Sequence, residues 1–131
     1  MNIFIAAKYE TRMDLWPVRE IIRGLGCWVV SRWLDESAPR EAVSHEGELS
    51  AALLDKIDIQ RSDLFILDTT TASDTGGREV ELGLAIAQGK DIWLVGPRRN
   101  VYHSTIRLVF DSWVQALGYL ALLNWKGSKD G

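Results

Sequence analysis

Residues 63–97 read DLFILDTTTASDTGGREVELGLAIAQGKDIWLVGP, and their pattern decides the architecture. Residues 64–67 are a wholly apolar run that ends in Asp68; residues 92–95 are a second, ending in Gly96 and Pro97. Between them stand a polar, glycine-bearing loop and a helix-forming stretch, 78–88. Two apolar strands joined by a helix of that length form a βαβ crossover, which predicts a parallel sheet covered on both faces. In such sheets ligands bind beyond the carboxyl ends of the strands, where Asp68 and its loop fall.

Working outward, the same alternation continues. Residues 2–6 are a first buried strand and 7–13 a polar loop. Pro17 suits a helix start, and Val18, Ile21, Ile22 and Leu25 follow at helical spacing until Gly24 and Gly26 end the helix. Residues 27–30 form the second strand. The connection 31–46 is polar, proline-containing and long for a compact domain, as functional loops often are. A helix is expected over 48–60 on Leu49, Leu53, Leu54 and Ile57. After the central unit come a loop (98–104), a short edge strand (106–110) and an amphipathic helix (111–124). Four or five parallel strands alternating with helices make a three-layer α/β sandwich, a doubly wound sheet of the flavodoxin-like kind. Residues 1–125 are expected to be a single domain and 126–131 (KGSKDG) a disordered tail.

Composition narrows the function classes. The 131 residues are 47% hydrophobic and 25% charged, which suits one domain with a sizeable core. A net charge of −3, with no basic tract longer than Arg98-Arg99, argues against a nucleic-acid polymer or a membrane as partner. A small anion held by a few cations is still compatible. The single cysteine, Cys27, excludes an internal disulfide and a cysteine-built zinc site, and points to the cytoplasm. No apolar run approaches membrane-spanning length, and the opening MNIFIAAKYE has no signal-peptide architecture.

Glu81 falls near the N-terminus of the crossover helix, whose partial positive charge favours an ionised carboxylate. At about 100° per residue it shares a face with Leu84, Ala85 and Gln88, whereas Glu79 points nearly the opposite way, so the two acids cannot act as one pair. A lone carboxylate in so apolar a helix needs a reason. Either it does chemistry, or it caps the helix or pairs with Arg78. Thr75, Gly76 and Gly77 offer a hydroxyl and open amides that can hold a phosphate beside Arg78, or they are plain turn chemistry. Asp68, before Thr69-Thr70-Thr71, either accepts from a sugar or base, or closes an Asx turn. His45 and His103 have no metal-ligand spacing. Trp16 and Trp33 fall near strand-end loops, where they either stack on a base or fill the core.

Asp68, Gly77, the run Glu81-Leu82-Gly83-x-Ala85 and Gly89-Lys90 together resemble the nucleoside 2-deoxyribosyltransferase superfamily, which includes the 2′-deoxynucleoside 5′-phosphate N-hydrolases. The opening strand and the order of elements fit as well, so the likeness covers most of the chain and is sharp over 63–97. The resemblance implies that Glu81 is the nucleophile. It attacks the anomeric carbon, expels the base and forms a covalent glycosyl ester that water or a second base resolves. Asp68 is then a base- or sugar-orienting acid, with Asp68 or Asp74 protonating the leaving base. Phe4 and Trp33 line the base pocket, and Ala6 and Lys8 bring the end of the first strand to the substrate. Thr75, Gly77 and Arg78 hold the 5′ end with Ser104 lent by a neighbouring subunit, which makes the protein a homodimer or higher homo-oligomer. Six residues before the nucleophile, transferases carry Asp and nucleotide hydrolases Ser; here Thr75 stands there, after Asp74. No metal or organic cofactor is required.

Two departures mark the chain. Phe4 replaces the tyrosine usual in the opening strand, and Ala6-Ala7-Lys8 replaces its Ala-Gly or Cys-Gly-Ser end. Phe4 and Ala7 favour one alternative, a non-catalytic nucleotide-binding module; a glutamate on a helix of a flavodoxin-like sheet gives a second, an NAD glycohydrolase of the Toll/interleukin-receptor-like kind.

Overall fold

The computed structural model describes residues 1–36 and 44–129, with side chains as far as 124. Five strands, β1 (Asn2–Ala6), β2 (Trp28–Val29), β3 (Leu64–Asp68), β4 (Asp91–Val95) and β5 (Leu108–Phe110), pair in parallel in the order β2-β1-β3-β4-β5. Among the described residues four α-helices cover the sheet: α1 (Trp16–Gly24), α2 (His45–Arg61), α3 (Gly77–Ala87) and α4 (Trp113–Lys129). Helix α1 packs with α4, and α2 with α3, giving the expected flavodoxin-like three-layer sandwich. Among the described residues, no helix is long and apolar enough to cross a membrane.

The sheet centre explains its own sequence. Ile3–Ala6 and Leu64–Asp68 are buried without alternation because helices lie on both sides. Phe4 stacks on Phe65 across β1 and β3, ring centres 5.5 Å apart and planes within 6°. Strand β2 is shorter than the 27–30 expected, and side chains beyond it take over its ladder. The Ile5 amide donates to Ser31 Oγ (2.7 Å), and Trp33 Nε1 donates to the Ile5 carbonyl (2.7 Å). Residue 5 is thereby satisfied at a buried edge where no strand continues.

Other elements differ from expectation as well, and β5 begins at Leu108, two residues late. The loops 7–13 and 98–104 contain 3-10 helices, Tyr9–Leu15 and Val101–Thr105, and a third, Arg32–Asp35, follows β2. Helix α2 begins at His45, three residues early, because Ser44 caps it by accepting from the Gly47 amide (3.1 Å). The rest of the 31–46 connection includes 37–43, which lie outside the described residues. Helix α4 continues to Lys129, so most of the tail expected to be disordered is its last turn, and 130–131 lie outside the described residues.

The largest difference is the orientation of α2. Leu49, Leu53, Leu54 and Ile57, expected in the core, are exposed at 54, 59, 38 and 40%, while Asp58 and Ile59 are buried. At about 100° per residue Glu48, Ala52, Asp55 and Ile59 share the inward face, roughly opposite Leu53 and Ile57. Arg32 anchors this orientation. Its amide and guanidinium both bond the buried Asp58 carboxylate, the amide and Nε at 3.0 Å, and that bonding raises the arginine's pKa.

Candidate active site

Strands β1 and β3 are neighbours whose following helices lie on opposite faces, so their carboxyl ends diverge into a crevice. A cavity of about 520 Å³ opens there, the size of a small-ligand site. Ala7, Tyr9 and Glu10 line it from the segment after β1, and Trp33 from the turn after β2. Ser73 and Thr75 come from the loop after β3, leading into Gly77, Arg78, Val80, Glu81 and Leu84 of α3. Helix α2 supplies Glu48, Ala52, Asp55 and Lys56.

Glu81, the fifth residue of α3, is half-buried in this wall. Gly76 is the N-cap of this helix, its φ of 80° suiting a residue without Cβ, and among the described residues no side chain caps it. Glu79 diverges, as the helical spacing requires, and bonds the buried His103 Nε2 at 2.9 and 3.0 Å. His103 Nδ1 accepts from the Arg99 amide (2.9 Å), which leaves the ring proton on Nε2, donated to Glu79. This pair ties the β4–β5 connection to α3. Glu79 thus lies with His103, while Glu81 lines the cavity.

Trp33, Thr75, Gly77, Arg78 and Glu81 are brought together, but Arg78 is turned away from a phosphate. Its Nη1 donates to the carbonyls of Asp68 (3.1 Å) and Thr71 (2.7 Å), and the residue is 5% exposed. Burial pulls its pKa below the usual guanidinium value, and Arg99 pushes the same way against the opposing Glu79 and Asp68. The arginine therefore shapes the loop from inside.

Asp68 also faces inward. Its Oδ1 accepts from the amide (2.8 Å) and hydroxyl (2.6 Å) of Thr70, an Asx turn, and its Oδ2 accepts from Trp113 Nε1 (2.7 Å). It does not line the cavity. Phe4 and Ala6, expected at the substrate, are fully buried because β1 is covered on both faces, and the cavity begins only at Ala7. Lys8 does not line it either; its carbonyl accepts from the amide (2.9 Å) and hydroxyl (2.7 Å) of Thr11. Ser104 is exposed on its 3-10 helix, away from this chain's cavity, and Asp74 is exposed in its loop. Among the described residues no cluster of three metal-ligating side chains forms.

Sequence reasoning missed Tyr9, Glu10, Glu48, Asp55 and Lys56. The spacing 48, 52, 55, 59 is itself a helical face, masked by the stronger leucine pattern on the other side. Tyr9 stands against Trp33, ring centres 6.3 Å apart, with the Arg12 guanidinium 4.2 Å from the Tyr9 ring centre. The Tyr9–Trp33 pair and the Glu81 carboxylate thus line one cavity.

The fold is shared with solved structures. A 2-deoxyribosyltransferase from the psychrotolerant Bacillus psychrosaccharolyticus superimposes with a TM-score of 0.73 at 21% identity, over 89% of this chain and 90% of that one. The Clostridium botulinum CMP N-glycosidase BcmB superimposes with a TM-score of 0.59, also at 21% identity, over 92% and 98%. No protein-family model matches the sequence, and no curated protein matches it. The chain thus has the fold of a nucleoside deoxyribosyltransferase and of a nucleotide N-glycosidase, over nearly the full length of each.

Proposed function

We propose that this protein cleaves the N-glycosidic bond of a 2′-deoxynucleoside or its 5′-monophosphate, with Glu81 as nucleophile. The observation that carries the reading is the Glu81 carboxylate, on a largely apolar helix, in the wall of the cavity at the ends of β1 and β3. The fold shared with two enzymes whose names describe deoxyribosyl transfer and N-glycosidic cleavage supports it.

A Glu81 oxygen bonds to C1′ as the C1′–N bond breaks; its electrons leave with the base, which takes up a proton. The positive charge developing on the sugar is stabilised by the facing carboxylate. Water then releases free sugar, or a second base takes the sugar and makes a new nucleoside. The Tyr9–Trp33 wall stacks the base, and the Tyr9 phenol brings to the cavity the hydroxyl that Phe4 lacks. Asp68 acts through position, holding the loop that carries Thr75 and Gly77. The exposed leucine face of α2 backs directly onto the cavity wall, and a second copy covering it forms the homodimer.

Base release from a panel of deoxynucleosides and 5′-monophosphates, followed by liquid chromatography, tests the reading. Glu81→Ala is expected to lower release on the order of a thousandfold or more with an unchanged melting temperature. Mass spectrometry of a single turnover should find the sugar on Glu81. Wild type that binds nucleosides and releases no base, with or without an acceptor base, makes the protein a binding module instead.

A further inference from the structure

The charge of the cavity discriminates between the two substrate forms. Four carboxylates line it, Glu10, Glu48, Asp55 and Glu81, against two cations, Lys56 and Arg78. Arg78 holds loop carbonyls from a buried position. The arginines of the neighbouring loop are engaged in the same way: Arg99 Nε donates to the Thr69 carbonyl (2.8 Å) and Arg98 Nη2 to that of Ile106 (3.3 Å). Among the described lining residues, Lys56 is the cation not held to loop carbonyls; beyond the lining, Arg32 acts on Asp55 while bonded to Asp58, and Arg12 bonds the carbonyls of Tyr9 and Glu36.

We infer that the site takes the neutral nucleoside and rejects its 5′-monophosphate. This rests on the glycosidase reading of Glu81. A monophosphate brings close to two negative charges into a cleft of the same sign, and like charges in a partly desolvated site repel strongly. The partial charge of the α3 N-terminus, about half a unit, is too small to reverse that balance. A nucleoside instead brings hydroxyl groups, which donate to carboxylates in charge-assisted bonds. The same acidic lining favours the positive charge that develops at C1′, so one feature selects the substrate and assists the reaction.

The test compares kcat/KM for thymidine and deoxycytidine with that for their 5′-monophosphates, in wild type, Glu48→Lys, Glu10→Lys and Glu81→Ala. Wild type is expected to favour the nucleosides about a hundredfold or more. Each lysine variant should narrow that ratio about tenfold, chiefly through KM of the monophosphate. Two positions on separate elements guard against one substitution merely unfolding its helix. Equal use of both forms, or preference for the monophosphate, overturns the inference while leaving Glu81 standing. If no base is released from either form, the glycosidase reading fails; calorimetric binding of the same pairs then decides the charge inference by the same ratio.

Discussion

Asp68 shows how a residue at a favourable address can be spent on structure. Both carboxylate oxygens are used, one by Thr70 and one by Trp113 from α4, forty-five positions away in sequence. Trp113→Phe removes one part-buried hydrogen bond and trims the indole to a phenyl ring, so it should cost roughly 1–3 kcal/mol in urea unfolding. It should also slow base release severalfold through the displaced loop; an unaffected rate would disconnect Asp68 from the site. Tyr9 is the complementary case, a cavity residue that nothing in the local pattern announces. Tyr9→Phe retains the stack on Trp33 and deletes the hydroxyl alone. Release is expected to fall about a hundredfold, as for loss of a proton-handling group, with the melting temperature unchanged.

At the scale of elements, two glycines near the site have opposite reasons to be there. Gly96 ends β4 with φ at 114°, and a Cβ there would lie 2.7 Å from Thr69 Oγ1 and 2.8 Å from the Thr70 amide. Gly96→Ala therefore combines backbone strain with a clash against main chain and should cost roughly 2–4 kcal/mol, seen as a lower denaturation midpoint. Gly77 has no positive φ, and nothing lies within 4 Å of the place a Cβ would take. Gly77→Ala should leave stability unchanged or slightly raised, since alanine favours the helix. A rise in KM in a stable Gly77→Ala protein would show that the ligand fills the space this glycine leaves open.

For the whole molecule, the outward leucine face of α2 is the feature a monomer does not explain. Covering the half-exposed Leu49, Leu53 and Ile57 contributes about 1 kcal/mol each, and the same helix presents Glu48, Asp55 and Lys56 to the cavity. In the proposed dimer, one rigid helix would couple assembly to site geometry. Leu53→Glu with Ile57→Glu should convert the protein to a monomer in light scattering and reduce base release at least tenfold. A wild type that is monomeric at high concentration would remove the proposed dimer and leave Ser104 without a substrate to reach.

Strand and helix identities, the parallel sheet and the separation of Glu79 from Glu81 were legible in the chain because they follow from local periodicity. Apolar runs of four or five residues cannot alternate and must be covered on both sides; two glutamates two positions apart on a helix must diverge. The tertiary structure alone decided which face of α2 looks inward, that Arg78 serves loop carbonyls in place of a ligand, that Phe4 is buried against Phe65, and that Trp113 holds Asp68. Each of those depends on a partner brought near by the fold from elsewhere in the sequence, and a buried guanidinium or carboxylate goes to whichever groups the packing presents to it.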